Sequence, residues 1–147
     1  MTTAPGRRDE RASVLLLVPA ALLIVLVMAS IAVDMSLVHL RRRQAYDLAA
    51  GAANDAVTAA ADEGSLRAGG YRVDPDRAQQ VVERIVAASE LAPDVAAPPT
   101  VRVTAEGVVV EVSLRADYIF AGVVPGAPDG TTVTASASAT AAADAGP

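Results

Sequence analysis

"ASVLLLVPAALLIVLVMASIAV", from Ala12 to Val33, decides the architecture: 22 residues without a charge, interrupted in apolar character only by Ser13, Pro19 and Ser30. At about 1.5 Å of rise per residue, a helix of this length covers a hydrocarbon core roughly 30 Å thick. The rest of the chain is too small and too alanine-rich to cover an apolar cylinder on all sides. A buried core helix of a soluble fold therefore fails as an alternative. Pro19 removes one backbone donor and is expected to kink the helix, which bilayer helices tolerate when neighbouring groups satisfy the freed carbonyl.

Both flanks of the run are basic. Arg7, Arg8 and Arg11 precede it, and Arg41, Arg42 and Arg43 follow after the stretch Met35 to Leu40. Three arginines at each end leave the positive-inside rule tied, so charge alone does not orient the span. The amino-terminal arginines with Ser30-Ile31-Ala32 also have the form of a cleavable secretory signal, but the run is longer than the usual signal core of about 7 to 15 residues. An uncleaved anchor over residues 12–40, after a short basic tail at 1–11, is the expectation. Asp34, directly after the run, has two readings: a carboxylate pairing with a partner's cation inside the membrane, or the end of the span at the headgroups. The boundary position avoids most of the desolvation cost and favours the second. Asp34, Arg41, Arg42 and Arg43 together are the candidate membrane-boundary or partner contacts. His39, the only histidine, has no second ligand nearby in sequence and is read as an interfacial side chain.

Outward from the anchor, the charge changes sign. Residues 1–43 hold six Arg against three acids, whereas residues 44–147 hold six Arg against fourteen, giving +3 and −8. An acidic carboxy-terminal part is a poor match for nucleic acid. The 147-residue length allows one domain, and the 52% apolar content comes mostly from Ala, Val and Leu, with one Phe and three Tyr. No cysteine is present, so neither a disulfide framework nor a Cys-based zinc site can form.

"QAYDLAAGAANDAVTAAAD", Gln44 to Asp62, is rich in the best helix former and free of proline, which continues the anchor helix past the arginines. Leu48, Ala52 and Val57 make a shallow apolar stripe, weakened by Gly51 and Asn54. It suits packing against another small-residue helix better than a deep core. A helical stalk over 41–63 is expected. Gly64, Gly69, Gly70 and Pro75 mark a linker over 64–74, and Asp74-Pro75 supplies an N-cap and first residue for the next helix. In that helix Ala78, Val81, Val82, Ile85, Val86 and Ser89 form one apolar face; Pro93, Pro98 and Pro99 then open an extended segment.

Beyond the prolines the period is two. Val101, Val103 and Ala105 alternate with Arg102, Thr104 and Glu106; after a turn at Glu106-Gly107, Val108, Val110, Val112 and Leu114 alternate with Val109, Glu111, Ser113 and Arg115; a third strand spans Thr131 to Thr140. The fold class is α+β: a single amino-terminal transmembrane helix continuing into a long alanine-rich helix, then a small head at 75–141 with one helix on a three-stranded antiparallel sheet. Residues 142–147 are expected to be a disordered tail. "YIFAGVVPGAPDG", Tyr118 to Gly130, joins the second and third strands. Tyr118, Ile119 and Phe120 make it a candidate docking loop, or alternatively a plug for one end of the sheet core. The scarcity of other bulky apolar residues in the head favours the plug.

Chemistry-bearing patterns are missing. No GxSxG, HExxH, P-loop or dinucleotide-binding fingerprint occurs, and no Lys or Cys offers a nucleophile. Asp74 and Asp76 flank a proline at a helix start, where the helix dipole accounts for carboxylates. No catalytic, cofactor-binding or metal-binding residue, no cofactor, no small-molecule substrate and no enzymatic activity is expected.

Three features in order resemble the TadE/TadG-like proteins of Flp (tight adherence) pilus assembly: Pro19 inside the apolar run, "IAVDMSLVHLRRRQ" from Ile31 to Gln44, and "DLAAGAANDAVTAAA" from Asp47 to Ala61. The resemblance covers residues 11–62, and the head only in general form. Pilin-like members carry a Gly before the apolar run and a Glu early in it; here Arg11 precedes Ala12 and the run holds no Glu, which argues against processing by a prepilin peptidase. The resemblance implies a bacterial envelope protein, single-pass in the cytoplasmic membrane with its head outside. Such a protein supports assembly or anchoring of pili through other pilus-assembly or pilin-like proteins or a second copy of itself. A secreted binding module cleaved near Ala32, and an inward-facing regulatory subunit of a membrane machine, stay open beside it.

Overall fold

The apolar run before the arginines and the alanine-rich stretch after them give one unbroken helix. In the computed structural model, which describes residues 8–61 and 72–140 and their side chains from Leu17 onward, α1 runs from Arg8 to Ala59, 52 residues, with Pro19 inside it. Its two halves have different surroundings. From Leu17 to Val33 the large apolar side chains are exposed around the whole circumference, Leu17, Leu22, Leu23, Ile24 and Met28 among them. The hydroxyls in this region are satisfied within the helix, Ser30 Oγ donating to the Leu26 carbonyl and Ser36 Oγ to that of Ala32, both at 2.8 Å. Among the described residues this is one helix long and apolar enough to cross a membrane.

The second half of α1 is core. Ala45, Ala49, Ala52, Ala53 and Ala56 are fully buried and Val57 nearly so, at the three- and four-residue spacing of one helix face. This stripe lies on β2 and β3 and against the second helix. The stalk expected at 41–63 is therefore part of the head, which has two helices on its sheet. Methyl side chains let the α1 backbone approach the strands closely, and Gly51 and Asn54 fall on the exposed outer face where they disturb no packing. The end of α1 is tied to the start of the next helix by a backbone bridge between Ala61 and Val73 and by the Asp74 amide donating to the Ala60 carbonyl at 2.9 Å. Most of the linker expected at 64–74, the tail at 142–147 and the first part of the tail at 1–11 lie outside the described residues.

α2, Pro75–Ala88, begins where Asp74 Oδ1 accepts from the amides of Asp76 and Arg77 at 2.9 and 3.2 Å, and Pro75 occupies the first turn where no donor is needed. Ala78, Val82 and Val86 are buried on its inner face. The strands follow as β1, Val95–Val103, β2, Gly107–Asp117, and β3, Gly130–Thr140, antiparallel in the order β1-β2-β3. β1 starts earlier than the alternation implied. It takes Pro98 and Pro99 into an edge position with register shifts beside them, as residues without a ladder donor require. Ala105 falls in the turn, closed by the Thr104 amide donating to the Gly107 carbonyl at 2.8 Å and the Gly107 amide to Thr104 Oγ1 at 3.1 Å.

β2 and β3 pair without interruption from Gly107 opposite Thr140 to Asp117 opposite Gly130. Val108, Val110, Val112, Leu114 and Ala116 of β2 and Val133, Ala137 and Ala139 of β3 point to the helices. The other face of the sheet is polar, with Ser113 and Thr134 hydroxyls hydrogen-bonded across the strands at 2.9 Å.

Candidate functional site

Asp34 is the buried charged residue among the described residues, with 6% of its surface exposed. It lies on the same helical face as Val38, Ala45 and Ala49, which carries it toward the head at the height where the exposed apolar run ends. Its Oδ1 accepts from the amides of Ile119 and Phe120 at 2.9 and 3.2 Å, and its Oδ2 from the amide of Ala121 at 2.9 Å. Three donors from a segment more than eighty residues away thus converge on one carboxylate. Charge-assisted bonds of this kind offset the cost of taking the group out of water.

The loop it holds is built for that contact. Tyr118 closes its base by donating its amide to the Asp129 carbonyl at 2.8 Å, and a single turn of 3-10 helix at Ala121–Val123 points its first amide back at the carboxylate. Gly126, with φ of 86°, makes the return bend in the conformation that favours glycine. The amides of Val123, Val124 and Ala127 donate to carbonyls three residues earlier.

Neither reading of Asp34 from sequence names these hydrogen-bond partners. The residue marks the end of the apolar run, but its partners are backbone amides of the same chain. The loop likewise departs from the plug expected at the sheet end: Ile119 is 56% exposed, Phe120 45% and Val123 79%, and Tyr118 is half-buried. With the sheet core already closed by the α1 alanines, those side chains have no interior to enter. Phe120, Val123, Val124 and Pro125 instead line an open apolar groove of about 540 Å³ with Val27, Ser30 and Ile31 of α1.

The three arginines divide between surroundings. Arg41 turns into the head, where its Nη1 is 2.8 Å from Asp94 Oδ2 and 3.3 Å from Gln44 Oε1, fastening α1 to the segment before β1. Both partners of that ion pair are about one-third exposed, so its contribution is at most about 1 kcal/mol. Arg42 and Arg43 line a shallow groove with His39, Tyr46 and Ser136 on the other flank of α1. Arg43 and Asp47, 4.0 Å apart and well exposed, add little. Among the described residues no group of three His, Cys, Asp or Glu side chains could hold a metal ion.

The Asp34 contact left one signal in the sequence. Residues 34, 38, 41, 45, 49, 52 and 56 follow the three- and four-residue steps of a single face, so an acid stands at the head of a stripe that leads into the buried alanines. Compared with known proteins, the chain matches no family model, no curated protein and no solved structure.

Proposed function

We propose that this chain is a non-enzymatic, membrane-anchored protein of the bacterial cell envelope that supports the assembly or anchoring of Flp/Tad-type pili. The observation that carries the anchoring is the contrast within α1. One half exposes Leu, Ile, Val and Met on every side, and the other buries its alanines in a folded head. An apolar cylinder with no protein cover is stable in hydrocarbon and costly in water. The pilus context and the extracytoplasmic head rest on the resemblance of residues 11–62 to TadE/TadG-like proteins, in the order Pro19, Val33-Asp34, the arginine cluster and the alanine-rich helix. In this reading the span holds the head at the membrane surface, and partners are other assembly or pilin-like proteins.

The test uses the absence of cysteine. Glu106 stands in the exposed turn between β1 and β2, at the end of the sheet opposite the Asp34 contact. A Glu106→Cys variant is labelled with a membrane-impermeant maleimide in intact and in lysed cells, and the labelled species is weighed. Labelling of the uncleaved chain in intact cells is the expected result. Labelling only after lysis overturns the external head in favour of the inward-facing regulator, and a labelled species beginning near Val33 favours the secreted module.

A further inference from the structure

We infer that the loop between β2 and β3 is a second membrane contact, a foot whose apolar side chains enter the same leaflet as the adjoining part of α1, with lipid acyl chains filling the groove between them. The inference rests on α1 being the anchor. Among the described residues, the bulky apolar side chains left exposed beyond α1 are Ile119, Phe120, Val123 and Val124, all on this one loop. From Tyr118 to Pro128 the loop has no charged residue.

Its position is fixed relative to the apolar run. Asp34 holds its amides at the end of that run, and its side chains reach along α1 to Val27, seven residues earlier, about 10 Å along the helix axis. A head carried on a spanning α1 therefore brings Phe120, Val123 and Val124 to hydrocarbon depth. Arg42 and Arg43 stand on the opposite side of Asp34 from the run, at about 12 Å from it, where side chains leaning back toward the helix amino terminus meet lipid phosphates.

Most of the loop's backbone amides are paired within the protein. Non-helical backbone is tolerated at that depth when its polar groups are satisfied within the protein. The amides of Ile119, Phe120 and Ala121 donate to Asp34, that of Tyr118 to Asp129, and those of Val123, Val124 and Ala127 to carbonyls within the loop. Pro125 and Pro128 carry no N–H. An aqueous surface loop has no need of four exposed bulky apolar residues.

The experiment reconstitutes the full chain into phosphatidylcholine vesicles, with an environment-sensitive fluorophore on a single cysteine at Val27, Val123 or Glu106. Lipids carrying a nitroxide high on the acyl chain serve as quenchers. Expected is loss of emission at both Val27 and Val123 and none at Glu106. Quenching at Val27 with water-like, unquenched emission at Val123 overturns the foot while the anchor stands. No quenching at Val27 overturns the anchor and the foot with it. Apolar but unquenched emission at Val123, lost when the chain is diluted to one copy per vesicle, assigns the groove to a second copy and also overturns the foot.

Discussion

Replacing the Asp34 carboxylate by a methyl group strands three amides at once. Asp34→Ala is expected to destabilise the head by about 2 kcal/mol, because bonds to a charged acceptor are lost. Amide hydrogen exchange at Ile119, Phe120 and Ala121 should accelerate far more than in the buried strand positions of β2. Unchanged exchange at those three amides would show that the loop holds itself. Asp34→Asn retains one acceptor and turns a donor toward the loop amides, so its cost falls between wild type and alanine. Gly107 is a second sensitive residue: a Cβ there would run into the carbonyl oxygen of Ala139 on the paired strand. Gly107→Ala should lower the unfolding midpoint by an amount corresponding to about 1–3 kcal/mol, the usual cost of forced overpacking, as thermal unfolding followed by circular dichroism would register.

At the scale of elements, α1 is joined to the sheet through the smallest apolar side chains available. Enlarging them tests that joint. Ala53→Leu or Ala56→Leu, at fully buried positions, should each cost about 1–3 kcal/mol in denaturant unfolding, whereas Thr58→Leu on the exposed face should leave stability nearly unchanged. Equal effects at the three positions would contradict the packing described here. The same alanines explain why this part of the fold was hard to read from the sequence. The strands were legible because valines alternate with polar residues, and α2 because Asp74-Pro75 announces its start and its apolar face is built of Val and Ile. The helix face over 45–60 offers no such contrast, since alanine also occupies the outer face at Ala59 and the half-buried flank at Ala50. A stripe marked only by methyl groups looks like a free-standing helix until the sheet beneath it is seen. Asp34 was obscure for a different reason: backbone amides leave no residue-type signature, so an acid that binds them has no visible partner in the sequence.

For the whole molecule, the exposed apolar half of α1 and the head make separable contributions. Leu23 is exposed and remote from every buried position of the head. Leu23→Arg should therefore move the chain out of the membrane fraction after ultracentrifugation, since an arginine near the middle of a span costs about 2.5–3.5 kcal/mol on insertion scales. Retention in the membrane fraction with unchanged yield would count against the apolar run as the anchor. The unbroken course of α1 from Arg8 to Ala59 has a mechanical consequence. No break in the helix separates the exposed apolar part from the part in the sheet, and the Asp34 bonds brace the junction on one side like a strut. With the apolar part in a membrane, as proposed, torque applied to the head would be delivered to the bilayer as rotation and tilt of the helix, and a neighbour that turned the helix by one step would swing the far end of the sheet with it. A head mounted this way would transmit load and keep a fixed heading toward whatever it met.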